Sequence, residues 1–381
     1  MVRNDGNSDQ TAKITYLSRG DFAGTFPAEL APNRVMSDGI KALNLYTKAM
    51  AQQWADDRSD AEKVTFGDTS QGGVVYENGK INDLGMVLGL NYDAPEWEGV
   101  LNRITKKDML ELVLNGYTET RAVNSIGKPK TTDYDGPNQA GSFSDGISSE
   151  ATGFSSITLA QTWNAELAYS MGKAFAAECL TYGIQGWYGP GVNLHRSPFG
   201  GRNYEYYSED ALISGTMCAK VVSAAKNKGV FCYLKHICLY ETESGRDGMY
   251  TWLTEQALRE LYLKPFEIAV REGGSTAIMT SYGRKGAVWT GGSEALLNEV
   301  VTGEWGFKGA FLTDYSDHTN FMDPDAMIRA GGDLFMRVGG GSFNFETSSE
   351  AFNRALRSST KDLLYMWLNA LATNADYNAK I

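Results

Sequence analysis

One alternation constrains the fold of this chain more than any other feature. From about Trp97 onward, short apolar runs take turns with longer amphipathic stretches. The runs are "SSITLA", "IQGWYG", "GVFCYLKH", "TAIMTSY", "GAFLTDY" and "GDLFMRV". Between them lie "NAELAYSMGKAFAAECLTYG", "SEDALISGTMCAKVVSAAKNKG", "TEQALRELYLKPFEIAVREGG" and "SEALLNEVVTGEWG". Short apolar runs bounded by turn residues read as buried strands, and the longer stretches read as helices. In the third of these, Leu258, Leu261, Tyr262 and Pro265 are expected on one helical face, with Gly273-Gly274 as the stop. Ahead of them, "WEGVLNRITKKDMLELVLNGY" spaces Leu101, Ile104, Met109, Leu112 and Val113 as a helix would. Strand and helix alternating in this way argue for a parallel sheet. With a first strand at "KPKTTDYDG", the pattern fits an α/β fold of the (β/α)8 TIM type, whose usual size is about 250 residues. A doubly wound sheet is the rival, but no GxGxxG or P-loop follows any of the runs. Residues 1–95 show no such texture and read as a linker or wrapping segment, leaving 96–381 as the barrel.

Composition removes several functions. The net charge of −11 would repel a phosphate backbone, so no nucleic-acid partner is expected. Cys179, Cys218, Cys232 and Cys238 form no CxxC pair and read as reduced, structural residues. The three histidines, at 195, 236 and 318, are isolated, so neither a metal nor a cofactor is expected. The opening "MVRNDGNSDQTAK" lacks an apolar signal region, and no stretch approaches the ~20 apolar residues of a membrane span. The expectation is a soluble, cytoplasmic chain with no membrane partner.

In a barrel, chemistry collects at the carboxyl ends of the strands. Asp133 and Asp135 end the expected first strand, Arg202 follows the "IQGWYG" run, Lys235-His236 end "GVFCYL", Met279 and Tyr282 belong to "IMTSY", and Asp314 ends "AFLT". Any one of these has a plain structural alternative: Asp314 as a cap, Lys235-His236 as an internal ion-pair end, Arg202 as a brace for Glu205 or Asp210, Met279 as core. Together they suggest one mouth. Carboxylates, ammonium, guanidinium and imidazole between them supply the donors and acceptors that sugar hydroxyls need.

"GPGVNLHRSPFGGRNYEYYSED", "KH" plus "ETESGR", "MTSY" and "EWGFKGAFLTDY", in that order, resemble the barrel motifs of glycoside hydrolase family 3, over roughly residues 97–381. The resemblance implies a retaining, exo-acting β-glycosidase acting on β-glycosides or small oligosaccharides. Position by position it implies Asp314 as nucleophile and Asp135, Arg202, Lys235 and His236 as groups that grip sugar hydroxyls. It implies Met279 and Tyr282 as lining and Tyr315 as a wall of the pocket. Glu243 and Arg246 are expected to brace the loop behind the Lys-His pair.

The chain also departs from the family pattern. Tyr240 stands near a position where many members have Asn, and "SYG", with Gly283, replaces "SYN". The family's usual general acid/base is a Glu on a sandwich domain, for which the residues after the barrel are too few. The opening "ITYLSRGDFAGTFP" is similar to the connector of members whose sandwich precedes the barrel. The expectation is a permuted or split enzyme whose acid comes from a partner domain or chain. Two other readings stay open: a carbohydrate-binding barrel without turnover, and a barrel aldolase using Lys235 as a Schiff base.

Overall fold

The apolar runs become a parallel sheet. In the computed structural model, which describes residues 63–68, 76–77, 80–81, 89–136, 155–316, 321–338 and 349–373, five strands pair side by side. They are β1 (Asp133–Tyr134), β2 (Gly186–Trp187), β3 (Phe231–Ile237), β4 (Ala277–Thr280) and β5 (Ala310–Leu312), ordered β5-β4-β3-β2-β1 with every pairing parallel. All seven residues of β3 are buried. Both faces of the sheet are covered, which is why the run is continuously apolar rather than alternating.

Alternation reappears in what each residue touches. Cys232, Leu234, Ile278, Phe311, Trp187 and Tyr134 pack into one buried cluster, with the helices. Phe231, Tyr233, Ala277, Met279, Ala310, Leu312 and Tyr188 pack into a second cluster, inside the curve of the sheet. The period of two in a strand enforces this sorting. Gly186 falls on the inner set, where a Cβ would come within 2.5 Å of the Asp133 carboxyl group and 2.4 Å of the Phe231 ring.

Several of the helices begin at a side-chain cap. α1 (Glu96–Leu101) and α2 (Lys106–Leu114) are separated at Thr105, whose side chain caps Asp108. α4 (Ala165–Thr181) is capped by Asn164 and α5 (Ala211–Lys226) by Asp210. α6 (Lys264–Arg271), the π-helical α7 (Ala295–Glu304), α8 (Pro324–Arg329) and α9 (Glu350–Thr373) follow.

Several local expectations fail. The "GDLFMRV" run forms no strand, only an isolated bridge at Leu334. "SSITLA" is not a strand but most of α3 (Ser156–Gln161); a short apolar run has too few residues for its period to tell strand from helix. Leu258, Leu261, Tyr262 and Pro265 do not share a face: Leu258 and Pro265 are buried, while Leu261 is 41% exposed. Residues 258–262 form a π-helical turn, and the wider turn shifts every later side chain around the axis.

The two edges of the sheet are bridged by backbone. Leu312 pairs in parallel with Leu334. The Phe335 N–H then donates to Val113 O, and the Gly116 N–H donates to Phe335 O. Next, the Asp133 N–H donates to Thr118 O, which returns the circuit to β1. This gives the α/β, TIM-type arrangement, with the last turn of α2 and the irregular residues 115–118 standing between the edges. Most of residues 1–95, including the "ITYLSRGDFAGTFP" stretch, lies outside the described residues. The described part near Thr65 is pinned by Arg357 of α9. The four cysteines are free and buried. Among the described residues, no helix is long and apolar enough to cross a membrane.

Candidate active site

Extending the inner set by one step past the packed core predicts where polar groups emerge. On β1 the inward residues are Asp133 and then Asp135; on β3, Phe231, Tyr233 and then Lys235; on β5, Ala310, Leu312 and then Asp314. Asp135, Lys235 and Asp314 therefore sit one layer above the buried Asp133, Tyr233 and Leu312, at the same end of three strands. Met279 pairs with Leu312 in register and is buried in the inner cluster, so it belongs to the floor of this layer.

The polar groups form a chain of alternating sign. Lys235 Nζ lies 2.6 Å from Asp135 Oδ1 and 3.1 Å from Glu205 Oε1, and Arg202 Nε lies 2.7 Å from Glu205 Oε2. The Lys235 side chain is only 3% exposed, whereas that of Asp135 is 39% exposed, so the chain runs from the interior to an open end. Burial raises the pKa of Asp135 and Glu205, but Lys235 and Arg202 outweigh it and hold both carboxyl groups below their usual range. For Lys235, burial is opposed by Asp135 and Glu205, which keep the ammonium above its usual value.

Asp314 is placed differently. Its Oδ1 accepts the Tyr315 N–H at 2.8 Å, while its buried Oδ2 has no hydrogen-bond partner. His236 Nε2 is 3.8 Å away, too far for a hydrogen bond. Burial pushes Asp314 up to about 6, against the pull of Arg202, the Tyr315 N–H, Arg246 and Lys235. It is mostly ionised at neutral pH, with one oxygen uncommitted. His236 is held well below its usual pKa by burial and by Arg202, Lys235 and Arg246, and is neutral. Its peptide bond to Lys235 is cis.

Aromatic rings close the sides. His236 packs at 4.6 Å on Tyr240, and Tyr282 lies 6.1 Å from Tyr240. The Tyr282 hydroxyl donates to Tyr315 O, and the Tyr315 ring lies 5.5 Å from Tyr117. Arg246 bonds Glu243 at 2.8 Å and the Tyr240 hydroxyl at 2.9 Å, bracing the loop as expected. It does more than brace, because its guanidinium lies 4.7 Å over the Tyr282 ring and its charge reaches Asp314.

All eight candidate residues are described. Asp135, Arg202 and Lys235 are joined through Glu205; Asp314 and His236 face each other; Met279 lies in the floor; Tyr282 and Tyr315 touch. Glu205 is expected from the sequence only as a residue that Arg202 could brace, whereas it also holds Lys235. Asn193, Tyr206 and Arg246 went unmarked as site residues. The i,i+3 spacing of Arg202 and Glu205 was a usable signal; no local pattern pointed to the other contacts. Among the described residues, no cluster of three or more metal-ligating side chains occurs.

This geometry has relatives. The model of the glycosyl hydrolase family 3 N-terminal domain matches residues 138–335. Beta-glucosidase B of Emericella nidulans is 35% identical over 247 residues, covering 64% of this chain and 29% of that protein. A beta-glucosidase of Ruminococcus albus is 37% identical over 188 residues, 47% of this chain and 20% of that protein. The matched region thus spans less than a third of the length of these curated relatives. Among solved structures, beta-glucosidase 3B from Thermotoga neapolitana, determined in complex with glucose, superposes with a TM-score of 0.64 at 29% identity, over 75% of this chain and 44% of that one. The same enzyme in complex with glycerol gives 0.63 at 30% identity, over 72% and 42%. With the matched model extending over half of its residues, the chain belongs to glycosyl hydrolase family 3.

Proposed function

We propose that this chain is the barrel of a retaining, exo-acting β-glycosidase of the β-glucosidase type, acting on terminal β-linked sugars of small oligosaccharides or β-glycosides. Asp314 attacks the anomeric carbon and carries the glycosyl group as a covalent intermediate, which water then releases. The observation that carries this reading is the uncommitted, buried Oδ2 of Asp314 beside a set of ion pairs in which the other carboxylates are already engaged. A nucleophile must be ionised yet unsolvated, and this environment supplies both conditions. Asp135, Lys235, Arg202 and His236 hold hydroxyls of the sugar ring, Met279 and Tyr282 line it, and Tyr315 walls it. Names of the relatives favour glucose, and two of the superposed structures contain glucose or glycerol.

A retaining mechanism also needs a protonated carboxyl group about 5–5.5 Å from the nucleophile. Asp135 and Glu205 are poor proton donors, because cations hold both below the usual carboxyl range. The acid/base is therefore assigned to a partner domain or chain. Incubation with 2,4-dinitrophenyl 2-deoxy-2-fluoro-β-glucoside, whose leaving group needs little acid help, tests the assignment. A mass increase of one fluoroglucosyl group on the peptide containing Asp314 is expected. Labelling of another residue would refute the nucleophile, and glucose binding without any labelling would favour a sugar-binding barrel without turnover.

A further inference from the structure

The imidazole of His236 is loosely held by its own contacts. Its Nδ1 lies 3.4 Å from the Tyr206 hydroxyl and its Nε2 lies 3.8 Å from Asp314. Its backbone is held tightly, and not by a neighbouring strand. The pairing of β3 with β4 shifts register between Leu234 and Ile237. On the other side, the Val192 N–H donates to Lys235 O and the Lys235 N–H donates to Pro190 O, and the ladder stops there. At the next residue a side chain takes over. The His236 N–H donates to Asn193 Oδ1 at 2.7 Å, and Asn193 Nδ2 donates to His236 O at 3.0 Å. Asn193 is 1% exposed. Its carboxamide offers one acceptor and one donor in a plane, as a peptide group does, so it substitutes for the missing strand residue. The second hydrogen of Nδ2 reaches Glu241 Oε1 at 3.2 Å. That acceptor fixes which end of the amide is nitrogen.

We propose that Asn193 is the positioning residue for His236, clamping both polar groups of its backbone so that the imidazole points at the bound sugar, and that Glu241 holds the amide in that orientation. This rests on the reading of His236 as a hydroxyl contact. With its carboxamide committed to His236 and Glu241, Asn193 acts through His236. The clamp explains how a residue at a register shift keeps one orientation without a strong side-chain hydrogen bond of its own.

A double-mutant cycle on the full chain tests it, read as the Kd for D-glucose and as kcat/KM for 2,4-dinitrophenyl β-D-glucoside, whose leaving group needs little acid help. Asn193→Ala is expected to weaken both about 10-fold or more, as small misplacements of a binding group do, and to lose no more than His236→Ala loses. The double variant should match His236→Ala within about twofold, because a residue acting only through another adds nothing once that other is gone. Additive losses would overturn the proposal, as would an unchanged Asn193→Ala variant beside a weakened His236→Ala. If His236→Ala itself changes neither quantity, the role of His236 and this inference fall together. Should Asn193→Ala not fold, Asn193→Asp keeps the acceptor for the His236 N–H and turns an oxygen on His236 O and Glu241; the same non-additivity with His236→Ala is required of it.

Discussion

Two buried lysines, Lys128 and Lys235, show how one residue type serves two ends in one molecule. Lys128 Nζ donates to Thr120 Oγ1, Arg121 O and Pro129 O at 2.8, 2.8 and 3.0 Å, and lies 5.4 Å over the Trp367 ring. Its partners are neutral dipoles, and burial pulls it down to about 7 despite Asp133 and Glu119. Lys235 is buried as deeply, yet two carboxylates keep its pKa raised. One lysine is saturated by two carbonyls and a hydroxyl and tolerates losing its charge. The other is part of an ion chain with a partly exposed carboxylate at one end, so a ligand hydroxyl can join it. Burial alone does not mark a functional lysine; the charge of its partners does.

The largest effect should come from Lys235→Met. It removes a charged donor of the site and takes the ion-pair partner from Asp135, so kcat/KM for an aryl β-glucoside should fall about 10²- to 10³-fold, with weaker binding of glucose. Retention of activity within threefold would erase the distinction between the two lysines. Next in size is the acid limb of the pH profile. Asp314 must be ionised to attack, and burial places it at about 6, so kcat/KM of the free enzyme should fall about tenfold per unit as pH drops below 6. A plateau extending to pH 4.5 would contradict the burial of an unpartnered oxygen.

Smallest is the effect of Lys128→Met, which should leave the glucose Kd within about twofold. Its signature is in stability. The folded-state pKa of Lys128, about 7, is below the unfolded value, so between pH 7 and 10 the unfolded chain binds one more proton than the folded one. Stability of the wild type should then rise relative to the variant by at most about 1.4 kcal/mol per pH unit over that window, with no relative slope below it. Chemical denaturation of both proteins at several pH values measures the difference, and parallel curves would show that Lys128 is not depressed.

Much of the candidate site was legible because parallel strands deliver their last inward residue to one end. Asp135, Lys235 and Asp314 could be found from strand ends alone, and strand parity places all three inside. Contacts made across long sequence separations were not legible. Asn193 and His236 are 43 residues apart, and nothing local to either announces the pairing. The helical nature of Ser156–Gln161 escaped because six residues carry no decisive period. The bridge between the sheet edges escaped because it runs from the last turn of α2 into residues 115–118, which are neither strand nor helix, and Thr118 adopts a left-handed backbone. The π-turn at Leu258–Tyr262 has no residue signature, and moved Leu261 off the face its spacing suggested.

The most direct measurement is chemical rescue of Asp314→Gly by sodium azide, with 2,4-dinitrophenyl β-D-glucoside as substrate. With the side chain gone, a small anion can enter from the face the carboxylate occupied and attack the anomeric carbon. Restored release of dinitrophenol and formation of α-glucosyl azide, identified by its anomeric proton coupling, are expected if Asp314 is the nucleophile. Formation of the β-azide, or full wild-type turnover in Asp314→Gly without azide, would contradict it.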